Sequence, residues 1–314
     1  MKIKIFTSFL LVMAHFLFAV GQITEAESQL KAKSAATHEG WKMGGVTAAN
    51  LAQTSLTNWA AGGQNSVAIN GLFSMFVNYK KDKIVWDNSL DIGYGILKQG
   101  KDVDFMKTDD KIDFLSKYGK EAFTNFYYSA LLNFKTQMAP GYNYPNDSIK
   151  ISNFLAPAYL LAALGMDYKP NANLSVFMAP ATGRLIIVND EMLSNTGAFG
   201  VDSGKTAKGE FGGYARLIYS RNDFKKALLK NVSFTTKIDV FSNYLKTPQN
   251  IDISWETLIA FKINEYISFN ITTHLLYDDD TKISIDDNND GVIDDFGPRV
   301  QFKEILGVGF SYKF

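Results

Sequence analysis

The feature that most constrains this chain is a two-residue alternation of apolar and polar side chains. It begins near Gly44 and returns along most of the sequence to the last residue. Over residues 66–79 the odd positions are Val67, Ile69, Gly71, Phe73, Met75, Val77 and Tyr79. The even positions include Asn70, Ser74 and Asn78, with Leu72 and Phe76 breaking the polarity. Successive strand side chains point to opposite faces, so each such stretch reads as a strand with one oily and one wet face. Residues 84–97, 123–138, 231–246, 251–263 and 266–277 repeat the pattern.

A soluble β-sandwich also alternates, so alternation alone does not choose the architecture. Three further features do. The strands run to about 10–15 residues, against about 5–6 in globular proteins; a tilted membrane-spanning strand needs roughly 9–11. The connections alternate in length. Short ones fall near 80–83, 119–122, 169–172, 222–230 and 264–265, and long ones near 98–110, 139–152, 183–209 and 278–299. The hairpins 58–65 and 246–250 depart from the rule on the long-loop side. Outer-membrane barrels have short periplasmic turns and long extracellular loops. Finally, Leu306, Val308, Phe310, Tyr312 and Phe314 share one face of a closing strand that ends on Phe.

The expected fold is all-β: a transmembrane, antiparallel, up-and-down β-barrel of about 12 strands. The strands fall near 44–55, 66–79, 84–97, 111–119, 122–138, 153–168, 173–182, 210–221, 231–246, 251–263, 266–277 and 300–314. An even count returns both termini to the short-turn side. Unpaired backbone amides are costly in a bilayer, so a sheet there must close on itself. Lipid would meet the apolar face and the lumen would take the polar one. This accounts for 24 Phe and 15 Tyr in a chain whose mean hydropathy is only −0.08.

Met1–Lys4 carries two lysines, Ile5–Val20 is mostly apolar, and Ala19-Val20-Gly21 offers small residues for a signal peptidase. Residues 1–21 are therefore expected to be a signal peptide, 22–40 a periplasmic N-terminal segment, and 41–314 the barrel. Cleavage removes two lysines and no acid, taking the formal charge from zero to −2. No later run supplies the roughly 20 apolar residues of a spanning helix. A Gram-negative outer membrane is the expected location, with its lipid as partner. The balanced charge gives no reason to expect nucleic-acid binding. The absence of Cys excludes thiolate metal sites and disulfide frameworks.

The sharpest local motif is Asp286-Asp287-Asn288-Asn289-Asp290-Gly291-Val292-Ile293-Asp294-Asp295. Asp286, Asn288, Asp290, Gly291 and Asp294 match positions 1, 3, 5, 6 and 9 of a calcium loop, where hard oxygen ligands wrap a hard cation. Gly297 stands where a bidentate Glu is expected, so the alternative is a solvated acidic loop. Asn58-Trp59-Ala60-Ala61-Gly62-Gly63 reads as a tight hairpin, or else a ligand-contacting rim.

Charges assigned to the lumen are Asp87, Asp91, Lys111, Asp113, Lys117, Lys135, Arg216, Lys237, Asp239, Glu256 and Lys262. Both signs are present, which suits either a filling network or a polar path. Once His15 leaves with the signal, His38 and His274 remain. The register turns His274 into the lumen. Ser268, on its own face, is six residues away, roughly 20 Å along a strand. A triad across strands stays open, but no enzyme is expected.

Several segments together resemble a family of uncharacterised Bacteroidetes outer-membrane proteins. They are Thr57–Gly63, Phe154–Leu160 with Asp167–Asn171, and Gly297–Glu304 with Leu306–Phe314. The resemblance implies an outer-membrane barrel and supplies no reaction, ligand or catalytic residue. The terminal Phe314 also resembles the signal read by the barrel-assembly machinery. Passage of small solutes, as a channel or transporter, is the leading expectation. A structural or adhesion barrel with ligand-contacting loops is the alternative, and a lipid-active enzyme the third.

Overall fold

The computed structural model describes residues 39–56, 64–101, 103–144, 146–264, 267–281, 283–285 and 295–313. Twelve antiparallel strands form a closed ring. In chain order they are β1 (Gly40–Thr54), β2 (Ser66–Lys81), β3 (Ile84–Gln99), β4 (Met106–Phe123) and β5 (Phe126–Thr136). After a small hairpin of β6 (Gly141–Tyr142) and β7 (Lys150–Ser152) come β8 (Ala158–Asn171) and β9 (Leu174–Ile187). A short helix α1 (Glu191–Asn195) precedes β10 (Ala207–Arg221), β11 (Val232–Asn243), β12 (Ile251–Lys262) and β13 (Ile267–Tyr277). A second small hairpin, β14 (Ile283–Ile285) and β15 (Asp295–Gly297), leads to β16 (Gln301–Lys313). Neighbours in sequence are neighbours in the wall. The ring is closed by β1 against β16, with Val46 opposite Lys313 and Ala49 opposite Phe310.

Local chemistry explains the tight ends. Three hairpins turn in two residues, at Asp82-Lys83, Thr124-Asn125 and Ala172-Asn173. Asp82 and Asn125 take φ of 50° and 66°. Two-residue hairpins need positive φ, which Asn and Asp tolerate better than other side chains. The connections at the opposite end are longer, and the one between β9 and β10 carries α1 and packs Leu193 and Val201 against Ala156, Ile186 and Val188.

The expected strands match in number and order. The largest boundary difference is at β4, expected over 111–119 and observed over Met106–Phe123. Its first turnings read as loop because Lys107, Asp109 and Asp110 are charged. In the fold, Lys107 Nζ reaches Asp110 at 2.8 Å, Gln137 Oε1 at 2.9 Å and the Ala139 carbonyl at 2.8 Å. Asp110 accepts from the Met138 and Ala139 amides. Charges satisfied in this way can sit within a strand.

Candidate functional site

The alternation sorts the strand side chains as expected, with one set outward and one set inward. Outward positions are large and apolar: Trp41, Tyr128 and Leu164 are 59%, 63% and 63% exposed. Inward positions are buried on contiguous strands from β2 through β12, among them Asn70, Ser74, Asp91, Asp113, Lys117, Asn133, Arg216 and Asp239. Inward side chains with so little exposure mean that the lumen does not run as an open channel through these levels, although a cavity remains among Ser74, Asp91, Lys117 and Arg216. Leu72 and Phe76, which interrupt the polar face of β2 in sequence, point inward and are buried. With Leu131, Ala163, Phe177, Ala179, Tyr214 and Phe241 they make the interior a mixed core of apolar groups and charges.

The interior charges fall into three levels. Nearest the short turns, Lys117 Nζ meets Asp167 Oδ2 at 2.5 Å, and Ser175 Oγ donates to the other Asp167 oxygen at 2.7 Å. Lys169 bridges Asp87 at 2.6 Å and Asp167 at 3.5 Å. Here a cavity of about 400 Å³ is lined by Asp87, Asp91, Lys117, Tyr127, Lys169 and Arg216, among others. At mid-height Arg216 pairs with Asp239, Lys237 with Glu256 at 2.8 Å, and Lys135 with Asp113 at 3.7 Å. Ser74 donates to Asp91, and Tyr214 to Asp239 at 2.6 Å.

Toward the long loops, Arg184 spans Glu210 at 2.5 Å and Asp252 at 2.7 Å, with its guanidinium 4.1 Å from the Phe241 ring centroid. Lys208 joins Glu210 at 2.9 Å to Asp280 at 2.6 Å, tying the barrel wall to the 278–281 loop. Burial works against the Asp280 charge, but Lys208 wins and holds its carboxyl below the ordinary range. Asp278 has no such lysine, and burial pushes its carboxyl up despite Arg184. Over the same end, Asp190 caps α1 by accepting from the Leu193 amide at 3.2 Å. It also receives Lys150 at 2.7 Å and Asn153 at 2.8 Å. Burial opposes the Asp190 charge, yet these donors lower its pKa, and Asp190 raises that of Lys150.

Of the expected lumen charges, Asp87, Asp91, Lys111, Asp113, Lys117, Lys135, Arg216, Lys237, Asp239 and Glu256 line the interior, whereas Lys262 ends exposed at the short-turn rim. Six ionic partners are added: Asp167, Lys169, Arg184, Lys208, Glu210 and Asp252. Arg184 escapes a simple alternation because β9 carries a bulge. Phe177 and Ala179 point inward, then Pro180 and Ala181 both face out, and Thr182 and Ile186 resume the inward set with the parity reversed. Asp167 and Lys169 keep alternation and are legible in hindsight from their spacing.

His274 faces inward, and its hydroxyl neighbour is Ser254 of the adjacent strand at 3.0 Å from Nε2. Glu256 sits opposite His274 in the register but is engaged by Lys237. No carboxylate hydrogen bond to the His274 ring is present among the described residues. The calcium-loop residues Asp286, Asn288, Asp290 and Asp294 lie outside the described residues, as do Asn58–Gly63, His38, the signal peptide and Phe314.

Three solved structures align with most of the chain at low identity. An outer membrane channel from Pseudomonas putida F1 aligns at 10% identity over 89% of this chain and 97% of its own, with a TM-score of 0.40. The translocator domain of the autotransporter NalP from Neisseria meningitidis aligns at 11% identity over 90% and 94%, with a TM-score of 0.38. The Pseudomonas putida toluene transporter TodX aligns at 7% identity over 94% and 98%, with a TM-score of 0.29. No curated protein matches the sequence. Residues 51–142, less than a third of the chain, match a family described as "Protein of unknown function (DUF3078)".

Proposed function

We propose that this protein is a barrel of a Gram-negative outer membrane that passes small polar solutes through a lumen closed in this conformation. One observation carries the membrane reading: the outward face of the ring is a continuous band of exposed Trp, Tyr, Phe and Leu, while charges are gathered inside. In water that band would be a hydrophobic patch far beyond what a monomer tolerates. Against lipid it is the favourable surface, with rings at the interfaces.

The solute reading draws on the cavity of about 400 Å³ in the short-turn half, which lies within the range of small-molecule sites. Its walls carry both charge signs. Beyond it stand the apolar cluster of Leu131, Phe177, Tyr214 and Phe241 and the Arg184 level. Passage requires those side chains to move. The packed interior favours the second reading, a structural barrel whose loops contact partners outside the cell. The pair Ser254–His274 faces inward, away from lipid, which weighs against a lipid-active enzyme. The signal peptide, assembly through the strand ending at Phe314, membership of a Bacteroidetes family and calcium at 286–294 are parts of the same proposal.

Single-channel recording in planar bilayers tests it. Discrete conductance steps are expected from the wild type, and longer-lived ones from Phe177→Ala/Phe241→Ala. Leu131→Ala replaces the double variant if that does not fold. Silence from every folded variant would discard solute passage and leave the structural barrel.

A further inference from the structure

We propose that the short-turn rim of the barrel is a binding collar for the headgroups of anionic phospholipids. The inference rests on the membrane reading above. Six lysines carry it: Lys81 at the end of β2, Lys83 in the β2–β3 turn, Lys120 near the end of β4, and Lys225, Lys226 and Lys230 in the β10–β11 connection. All six are exposed, and none has an ion-pair partner among the described residues. The described acids at this end are Glu39, Asp82, Glu121 and Asp223, fewer than the six lysines, and Asp223 is already held by Arg221 at 2.9 Å. At the long-loop end Lys150 is paired with Asp190, and Lys208 and Lys246 with Asp280, while Lys101 and Lys205 stand exposed and singly in separate loops, not clustered beside aromatic rings.

The position of these lysines selects the partner. Just inside the rim, Trp41 packs against Tyr79 and Trp86, with ring centroids 4.9 Å and 6.0 Å away. Phe126 packs likewise between Phe123 and Tyr168, at 4.6 Å and 4.5 Å. Such outward rings sit at headgroup depth. Lys81 lies two residues beyond Tyr79, and Lys83 and Lys120 lie three from Trp86 and Phe123, within reach for their ammonium groups to extend to the phosphate level. Leu228, between Lys226 and Lys230, is 90% exposed. An exposed leucine among lysines suits insertion at the acyl boundary beneath a layer of anions.

Lys120 decides between a lipid and an acidic soluble protein. It lies on the outward face of its strand, opposite Tyr128 and two residues from Tyr118, where the bilayer and not the periplasm is the neighbour. A lumen solute is excluded for the same reason, since the cavity opens on the other face of the wall.

The test uses the full-length protein in vesicles, with Trp59→Phe and Trp255→Phe leaving Trp41 and Trp86 as reporters beside Lys81, Lys83 and Lys120. Fluorescence quenching by brominated phosphatidylglycerol is compared with that by brominated phosphatidylcholine. The anionic lipid is expected to quench at an about fivefold lower mole fraction. That preference should vanish in K81Q/K83Q/K120Q and persist in K81R/K83R/K120R, which separates lost charge from misfolding. Equal quenching by the two lipids in the parent, or an unchanged preference in the Gln variant, overturns the collar while the membrane reading stands. No quenching by either lipid overturns the membrane reading itself.

Discussion

Arg216 and Asp239, directly opposite each other on β10 and β11, meet in a two-point ion pair inside the barrel. Arg216 Nε donates to Oδ1 at 2.5 Å and Nη2 to Oδ2 at 3.1 Å. Both residues are buried, and Tyr214 adds a third donor to the same carboxylate. The planar guanidinium matches the carboxylate in a way that a lysine cannot.

Removing one partner strands the other charge in a packed interior. Arg216→Leu is expected to cost about 3–5 kcal/mol of unfolding free energy. The double variant Arg216→Leu/Asp239→Leu should recover a large part, because no unpaired charge remains. Urea denaturation of the refolded barrel, followed by tryptophan fluorescence, measures both. A double variant no better than the single one would show that the pair is worth more than its desolvation cost.

Two glycines flank the bulge of β9. A Cβ on Gly165 would collide with the Met178 carbonyl oxygen, and one on Gly212 with the Ser242 carbonyl oxygen. Backbone cannot yield as a side-chain tip can. Gly165→Ala and Gly212→Ala should each destabilise by about 1–3 kcal/mol, the range for overpacking. Gly183, whose Cβ would meet nothing within 4 Å, is the control. Its alanine variant should stay within about 0.5 kcal/mol of the parent.

The strap of Lys150 and Asn153 on Asp190 has a pH signature. The folded pKa of Asp190 is depressed, so its contribution is full above the unfolded value of 3.8 and is lost as pH falls through the folded value. The folded pKa of Lys150 is raised, so its contribution is full below 10.5 and is lost only at still higher pH. The loops over the barrel mouth should therefore resist limited proteolysis across the neutral range and become cleavable in strong acid. Asp190→Ala removes the α1 cap, about 1 kcal/mol, and should bring that cleavage to neutral pH. Identical cleavage of parent and variant at pH 7 would remove the strap as a determinant.

Calorimetry tests the acidic loop. Millimolar Ca²⁺ should give a binding heat with the parent and none with Asp286→Ala/Asp290→Ala. The absence of heat from the parent would leave a solvated loop.

The sequence by itself determined the wall. A period of two over long strands specifies which side chains share a face, and a one-residue slip would put Phe73 where Ser74 belongs. Strand number, the two ends with their short and long connections, and the inward direction of Asp91, Lys117, Asp239 and His274 all follow from that local rule. Only the tertiary structure decided what the inward side chains meet. Lys117 finds Asp167 fifty residues away, and His274 finds Ser254 on the next strand where Ser268 of its own strand is out of reach. Arg184 turns inward because a single extra residue in β9 reverses parity, and Leu72 and Phe76 become core because the ring is narrow enough to bury them. Direction is a property of one strand's backbone, whereas a partner is fixed by the curvature and closure of all twelve.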